Sequence, residues 1–479
     1  MKSKILACAL LLGAVSVEAK VKLPSLVCDN MVLQQQTEVK LWGEATPKAE
    51  VRITPSWSGE AKTCRADKDG RWTLQLPTPA GGYTAYDITF DDGDKSSPAV
   101  VVRNVLVGEV WLASGQSNME MPLKGFDGCC VKDGLDDAIA ASDLKGVRMF
   151  NVPKRQCWEP QTECDGRWMT TEHFTDVMEF SATAFYFASS VSRALHLPVG
   201  IVNCSYGGAA VESWTCRELL ETYPDVSLKP EDVENMKSWE RPLLMYNGMF
   251  NPVKHYTVKG IIWYQGCTNV GRHDTYAQRL ANMVSLWRKE MALGEIPFYF
   301  VEIAPYEYDS NEQHQKAAYL REAQFKAQSL IPNSAMISTN DLAEPFERHN
   351  IHPRNKKPVG HRLSYLALNL TYGLKEVACF GPQYKSWKAK GNEAWVSFDH
   401  LEKGICRNYD IRGFEVAGED RVFHPADKVW LHWQSNEVVV SSEKVAVPVA
   451  VRYCFRDFQI GTLIGGNELP LVPFRTDNW

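Results

Sequence analysis

One stretch decides how the chain folds: Val105-Leu106-Val107-Gly108-Glu109-Val110-Trp111-Leu112-Ala113-Ser114-Gly115-Gln116-Ser117-Asn118-Met119. Its first nine residues are mostly apolar and predict a buried β-strand. Small and polar residues then mark the turn at which this strand ends. A serine between a strand and a helix is held at a sheet edge, where its hydroxyl is exposed and nearby N–H groups can point at a ligand. Ser117 is therefore a candidate nucleophile.

Strands and helices alternate after this stretch. Apolar runs predict further strands at 146–152, 198–203, 259–264, 297–303 and 335–339. Helices are predicted between these strands at 181–195, 276–291 and 313–329, and after the last strand at 358–372. This order is typical of α/β proteins and predicts a doubly wound parallel sheet with helices on both faces. Ligands of such sheets bind at the carboxyl ends of the strands.

Three more strand ends of the predicted sheet carry residues suited to chemistry. They are Ser205-Tyr206-Gly207-Gly208, Gln265-Gly266-Cys267-Thr268-Asn269 and Asn350-Ile351-His352-Pro353. Glycines allow the backbone to approach a ligand closely and to offer N–H donors. An imidazole can take a proton from a hydroxyl group. A serine, N–H donors, an amide and a histidine therefore recur at one predicted edge of the sheet.

The block Gly115-Gln116-Ser117-Asn118-Met119 resembles the nucleophile block of the sialate O-acetylesterase family, which are carbohydrate esterases of the SGNH-hydrolase type. The other three strand ends resemble the later blocks of that family and occur in its order. The resemblance runs from about Leu23 to Arg475. It implies an SGNH-type α/β esterase domain between N-terminal and C-terminal β-sandwich-like domains.

The resemblance also implies roles for individual residues. Ser117 would be the nucleophile and His352 the general base. The N–H groups of Ser117 and Gly208 and the amide of Asn269 would bind the oxyanion. We predict that four further side chains contact the substrate: Gln116, Tyr206, Trp214 and Gln265.

Two motifs depart from the family pattern. Cys267 stands where the family usually has Glu, and His349 and Asn350 stand where an Asp often precedes the histidine. The candidates for orienting the His352 ring are a backbone carbonyl, Asn350, Asp341, Glu344 and Glu347. Without a loop carboxylate, we expect the pKa of His352 to lie close to the ordinary value of about 6.5.

These features predict a serine carbohydrate O-acetylesterase that removes O-acetyl groups from sialic acids. Its partner would be an acetylated sialoside or another acetylated glycan. The mechanism needs no metal or organic cofactor, and no Cys-x-x-Cys pair suggests a zinc site. Two alternatives stay open: an esterase of acetylated plant polysaccharides such as acetylxylan, and a carbohydrate-binding homologue that has lost catalysis. Cys267 and the missing acid favour the second alternative.

The composition excludes several other classes of protein. The 479 residues are 44% hydrophobic and 23% charged, which is ordinary for a folded protein with a large core. The net charge is -6, and Lys and Arg residues are not clustered in any part of the sequence. Both observations argue against a nucleic-acid partner. Apart from the N-terminus, no apolar run approaches 18 residues, so we expect no membrane span.

Residues 1–19 are typical of a cleaved secretory signal, with Lys2 and Lys4 ahead of an apolar run that leads to Ala19. This predicts a secreted or periplasmic protein. We predict an N-terminal β domain at 20–104, the esterase domain at 105–375 and a C-terminal β domain at 376–479, because short strands dominate both ends. Cys157 and Cys164 are the best candidates for a local disulfide in an exported chain.

Overall fold

Short antiparallel strands form the first part of the protein. The computed structural model describes residues 21–95, 98–308, 314–408 and 410–479, so the predicted signal segment lies outside the described residues. The strands are β1 (Val32–Gln34), β2 (Glu38–Glu44), β3 (Glu50–Pro55), β4 (Lys62–Arg65), β5 (Arg71–Pro77) and β6 (Gly82–Asp91). Strand β2 pairs with β5, while β3 lies between β4 and β6. In β5, buried and exposed residues alternate strictly, so one face of this strand lies on the core.

A single long strand, β7 (Val100–Gly115), joins this part to the centre of the molecule. Its first half pairs with β6 in antiparallel fashion and with β1 in parallel fashion. Its second half is buried and lies at the centre of the parallel sheet described below. The strand therefore begins five residues before the predicted domain boundary at 105, because Val100 to Val102 pair with Ile88 to Phe90 of β6. The boundary falls inside one continuous strand.

The central sheet is parallel, and its later strands flank β7. They are β8 (Val147–Asn151), β9 (Trp168–Thr170), β10 (Val199–Ser205), β11 (Gly260–Tyr264), β12 (Phe298–Val301) and β13 (Ser334–Ile337). The spatial order is β13-β12-β11-β7-β10-β8-β9, with β9 as an antiparallel edge strand. The chain crosses from one side of β7 to the other between β10 and β11. The end of β7 is thus the topological switch point, where such sheets bind ligands.

Helices cover both faces of this sheet, which confirms the predicted doubly wound architecture. They are α1 (Ser117–Glu120), α2 (Gly134–Ala140), α3 (Phe174–Met178), α4 (Ala182–Leu195), α5 (Arg217–Leu220), α6 (Pro230–Asn235), α7 (Asn251–Val253), α8 (His273–Met291), α9 (Lys316–Ala327) and α10 (Lys357–Leu366). Helices α4 and α10 pack on one face, through residues such as Phe185 and Leu363. Helices α8 and α9 pack on the other, through Leu280 and Leu320. The predicted helix at 358–372 ends earlier and continues as a π-helical turn, Ala367–Thr371.

The C-terminal part is a sandwich of two four-stranded antiparallel sheets. Its strands are β14 (Gln383–Lys390), β15 (Glu393–Asp399), β16 (Phe414–Ala417), β17 (Phe423–Pro425), β18 (Lys428–His432), β19 (Glu437–Ser441), β20 (Ala450–Tyr453) and β21 (Phe474–Arg475). The sheet orders are β14-β15-β19-β18 and β17-β16-β20-β21. Valines from both sheets, such as Val396 and Val451, share one core. This agrees with the predicted β-sandwich-like domain.

The twelve described cysteines are all free thiols. The expected disulfide between Cys157 and Cys164 is therefore wrong for this structure. Burial raises the pKa of Cys164 to about 12, so this thiol stays protonated and is poorly nucleophilic. Among the described residues, no helix is both long enough and apolar enough to cross a membrane.

Candidate active site

Ser117 lies directly beyond the carboxyl end of β7. The turn depends on Gly115, whose φ of +134° and close approach to Tyr264 exclude a side chain: an added Cβ would lie 2.2 Å from the Tyr264 carbonyl oxygen. The backbone N–H of Gln116 donates to the same oxygen at 2.9 Å. Helix α1 begins at Ser117, which is partly exposed, while its neighbours Gln116 and Asn118 are buried. The serine hydroxyl is thus presented to solvent by a rigid turn.

His352 meets this hydroxyl from a loop after β13. Its Nε2 lies 2.8 Å from Ser117 Oγ, although the two residues are 235 positions apart in the sequence. The ring of Phe126 contacts the imidazole edge to face, with ring centroids 5.3 Å apart. A neutral imidazole that carries its hydrogen on Nδ1 can accept the serine proton at Nε2. The geometry therefore suits a nucleophile and its base.

Asn118 connects the serine turn with the histidine loop. Its Nδ2 donates to the Ile351 carbonyl at 3.0 Å, directly before His352. Its Oδ1 accepts from Lys356 Nζ at 2.6 Å. Lys356 is only 1% exposed and lies 5.8 Å from the centre of the Tyr264 ring. A buried ammonium therefore fixes the amide that holds the two catalytic candidates in register.

The charge states of the two basic groups follow from this burial. Desolvation, with a smaller contribution from the Lys356 charge, lowers the pKa of His352 to about 4. Desolvation also lowers the pKa of Lys356 to about 7, against the opposing influence of Glu347. The expectation of an ordinary histidine pKa is wrong because the sequence did not reveal the covered ring or the buried cation. His352 is neutral, and competent as a base, over the whole neutral range.

No described residue forms a hydrogen bond with His352 Nδ1. Asn350 Oδ1 accepts instead from the His352 backbone N–H, at 3.0 Å. Asp341 is held by both terminal nitrogens of Arg362, at 2.7 and 2.6 Å. The side chains of Glu344 and Glu347 bind backbone N–H groups in a capping box. Each side chain considered as a partner for the ring therefore has another role.

The glycine loop after β10 lies against the nucleophile. A Cβ added to Gly207 would stand 3.6 Å from Ser117 Cβ. The N–H of Gly207 donates to Glu120 Oε2 at 2.5 Å, so this group is occupied. The N–H groups of Ser117 and Gly208 form no hydrogen bond with any described residue. Both are therefore available to an oxyanion.

Asn269 is held by a buried polar network. Its Oδ1 accepts from the Val211 N–H at 3.1 Å and from Gln265 at 2.7 Å. Its Nδ2 donates one hydrogen to Glu212 Oε2 at 3.0 Å, and the second amide hydrogen has no partner among the described residues although Asn269 is only 1% exposed. Glu212 is neutralised by Arg279, whose Nη1 lies 2.7 Å from Glu212 Oε1. The amide of Asn269 is therefore oriented without placing an unpaired negative charge near an oxyanion.

Three of the predicted substrate contacts are buried. Gln116 is 2% exposed and accepts from the Gly266 N–H, and Gln265 is 0% exposed and donates to the Ala209 carbonyl. Trp214 is fully buried and packs edge to face against Trp263 and Trp287 in the core. These positions do not support substrate contact, because the side chains build the framework beneath the site.

Tyr206 is the predicted substrate residue that faces solvent in part. Its hydroxyl accepts from Gln156 Nε2 at 2.8 Å, and the ammonium of Lys154 lies 5.6 Å from its ring centre. Cys267, in contrast, is 7% exposed, and burial raises the pKa of its thiol. A protonated, buried thiol is a poor nucleophile, so the structure does not favour it over Ser117.

Sequence reasoning missed several residues that shape this site. Asn118 was visible only as part of the serine motif, Lys356 lay beyond the histidine motif, and Glu212 stood between the glycine loop and Trp214 without an assigned role. A buried ion pair joins residues that are 67 positions apart, Glu212 and Arg279, so no local pattern announces it. Among the described residues, no group of three His, Cys, Asp or Glu side chains is arranged to hold a metal ion.

One edge of a doubly wound sheet thus carries a serine hydroxyl, an imidazole and unpaired N–H donors. These are the parts that acyl transfer requires, and they define an esterase-type site. Comparison with known proteins gives the family. Residues 107–369 match the family of carbohydrate esterases described as sialic acid-specific acetylesterase.

Relatives match over most of the chain. Human sialate O-acetylesterase is 24% identical over 94% of this chain and 91% of its own length. The mouse sialate O-acetylesterase is 26% identical over 82% of this chain and 81% of its own. The crystal structure of a novel carbohydrate acetylesterase from Xanthomonas citri is 33% identical, with a TM-score of 0.83, over 96% of this chain and all of that one. The protein belongs to the sialic acid-specific acetylesterase family and is a carbohydrate esterase.

Proposed function

We propose that the protein removes O-acetyl groups from sialic acids, with Ser117 as nucleophile and His352 as general base. The observation that carries the mechanism is the 2.8 Å contact between Ser117 Oγ and His352 Nε2. The choice of sialic acid is supported by the curated relatives, which are sialate O-acetylesterases.

The first step forms an acetyl-enzyme. His352 Nε2 takes the hydroxyl proton while Ser117 Oγ attacks the carbonyl carbon of the acetyl group. The carbonyl oxygen becomes an oxyanion that the N–H groups of Ser117 and Gly208 and the amide of Asn269 stabilise. Removal of one such donor costs about 2.7–4 kcal/mol of transition-state stabilisation. When the tetrahedral intermediate collapses, His352 returns its proton to the sugar oxygen, which leaves as a hydroxyl.

The second step frees the enzyme. His352 takes a proton from water, which attacks the acetyl-enzyme carbonyl. When the bond to Ser117 Oγ breaks, His352 returns that proton to Oγ, and acetate and the free Ser117 hydroxyl result. Because burial and Lys356 disfavour the protonated imidazole, His352 releases the proton readily after each transfer. The signal-like residues 1–19 support export, so acetylated glycans outside the cytoplasm are the proposed substrates.

A neutral acetylated glycan, such as acetylated xylan, is the second candidate substrate. The ammonium groups beside the glycine loop already have acidic partners: Lys154 lies 2.5 Å from Glu120, and Lys237 lies 3.6 Å from Glu240. A sialic acid carboxylate would have to compete with these carboxylates for the cations. This pairing favours a substrate without its own negative charge.

An acetate-release assay separates the candidates. Wild-type and Ser117→Ala enzymes are compared on 9-O-acetyl sialosides, acetylated xylo-oligosaccharides and p-nitrophenyl acetate. The proposal predicts the highest kcat/KM on the sialoside and loss of activity in the variant. Faster turnover of the xylo-oligosaccharide would favour the neutral substrate. Absence of turnover on all three would contradict the esterase mechanism.

A further inference from the structure

An exposed indole stands beside the glycine loop of the site. Trp239 belongs to a single 3-10 turn, Ser238–Glu240, and is 42% exposed. Its ring packs directly on Gly208: a Cβ built there would lie 2.5 Å from both Cγ and Cδ1 of the indole. Gly207, the preceding residue, borders Ser117 Cβ. The indole of Trp239 therefore packs on Gly208, the residue next to the glycine that borders Ser117.

Hydrogen bonds fix the turn that carries this indole. Gln156 Nε2 donates to the Ser238 carbonyl at 2.9 Å and also to the Tyr206 hydroxyl at 2.8 Å. One amide thus ties Trp239 to the other aromatic residue at the rim. Lys237 lies 5.9 Å from the centre of the indole. The two rings are therefore held in position rather than left to move independently.

The exposure of Trp239 is not explained by packing. The tryptophans of the site's framework, Trp214, Trp263 and Trp287, are fully buried in the core. Trp239 leaves more than a third of its surface in water, at a cost in hydrophobic free energy, against the glycine loop that borders the partly exposed Ser117. Sugar rings present apolar C–H faces, and aromatic rings at pocket rims supply matching apolar surface with few degrees of freedom to lose.

We propose that Trp239 is a substrate-binding residue, whose exposed indole surface contacts the sugar ring that carries the acetyl group. This inference rests on the proposed carbohydrate O-acetylesterase function. Tyr206 forms the adjoining part of the same rim. The indole acts on binding of the glycan and takes no part in proton transfer.

The test measures kcat and KM for wild type, Trp239→Ala and Trp239→Phe. Two substrates are used: p-nitrophenyl acetate, which has no sugar ring, and whichever of the 9-O-acetyl sialoside and acetylated xylo-oligosaccharide wild type hydrolyses faster. Trp239→Ala should lower kcat/KM on the glycan by about tenfold, the change that 1.4 kcal/mol produces, mainly through KM. Its loss on p-nitrophenyl acetate should be smaller. Trp239→Phe should restore most of the glycan activity.

Trp430 provides a matched control, because it is also 42% exposed but lies on β18 of the C-terminal sandwich. Trp430→Ala should leave both activities unchanged. An equal loss on both substrates in Trp239→Ala would overturn the proposal, since it would mean that the indole only supports Gly208. An unchanged KM for the glycan would overturn it as well. If wild type hydrolyses p-nitrophenyl acetate but no acetylated glycan, the proposed function itself fails, and wild type alone reveals this.

Discussion

The two sides of Ser117 have opposite electrostatic designs. On the histidine side, a buried ammonium, Lys356, lies near an imidazole that has no carboxylate partner among the described residues. On the oxyanion side, a buried carboxylate, Glu212, orients Asn269 and is neutralised by Arg279. The charge of the histidine side depends on Lys356, which is protonated below its pKa of about 7, whereas the charges of the oxyanion side are balanced. The first arrangement keeps the base unprotonated at neutral pH but also disfavours the imidazolium that each proton transfer forms, and the second keeps unpaired negative charge away from a developing oxyanion.

No carboxylate among the described residues accompanies His352 as the usual acid would. A carboxylate beside His352 would stabilise the imidazolium and would raise the pKa of the ring. Here burial and Lys356 act in the opposite direction and lower it to about 4. Asn118 supplies the positioning, since its amide joins Lys356 to the backbone next to His352. The position of the loop that carries His352 is thus set by the Asn118 amide and the Lys356 side chain instead of a carboxylate.

The largest loss of kcat is expected when the Ser117 hydroxyl or the His352 imidazole is removed. Ser117→Ala and His352→Ala should each lower kcat by about 10⁴- to 10⁶-fold, because each removes a partner of the same proton transfer. The double variant should be little worse than either single variant. Circular dichroism should show an unchanged fold. Retention of more than a few per cent of kcat in either variant would contradict the assignment.

Asn269→Ala tests the oxyanion side, where the amide is oriented by Glu212 and Arg279. The amide acts mainly on the developing charge, so kcat should fall by about 10²–10³-fold while KM changes less. Steady-state kinetics on p-nitrophenyl acetate provide the measurement. If only KM rises, Asn269 binds the ground-state substrate and the oxyanion assignment fails.

Lys356→Met tests whether the charge of this lysine lowers the pKa of His352, and the pH dependence of kcat/KM reports that pKa. Wild-type kcat/KM should rise through an acid limb near pH 4, where His352 loses its proton. Removing the ammonium favours the imidazolium, so the limb should move to higher pH without reaching the ordinary value of about 6.5, because burial remains. A pH–rate profile from 3.5 to 8 measures this shift. A limb that stays in place while activity falls would mean that Lys356 acts only through Asn118.

The smallest effect on chemistry is expected for Asp341→Asn. Its carboxylate is engaged by Arg362 and does not reach the imidazole, so kcat should change little. Breaking this largely buried ion pair should lower stability, by about 3–5 kcal/mol if it behaves as a fully buried pair. Thermal unfolding and kcat at 25 °C separate the two effects. A kcat loss that approaches that of His352→Ala would show that Asp341 orients the base after all.

Local sequence signals were sufficient for much of this architecture. The apolar runs that became β7, β10 and β11 ended at glycine-containing turns, so their order and their functional ends could be predicted. The sequence did not predict that β7 pairs both with the N-terminal strands and with the central parallel sheet, because a strand's apolar pattern does not identify its partners. The C-terminal sandwich was predictable from its short strands, although β14 and β17 give a weak signal because their residues are mostly exposed or half-buried.

The site was less predictable than the fold. The contact between Lys356 and Asn118 joins residues 238 positions apart, and nothing local indicates that this lysine is buried. The pKa of His352 depends on the same burial. Trp214 looked like a substrate contact because it follows the glycine loop, whereas Trp239, which reaches that loop from a separate turn, gave no signal. Long-range packing decides such roles.

The central claim is that Ser117 is the residue activated by the two sides of the site. A fluorophosphonate probe, which reacts covalently with activated serines, followed by peptide mapping with mass spectrometry tests it most directly. We predict one adduct per chain, located on Ser117, absent in Ser117→Ala and strongly slowed in His352→Ala. Labelling that persists in Ser117→Ala, or a catalytically active enzyme whose adduct maps to Cys267 or to another residue, would contradict the account.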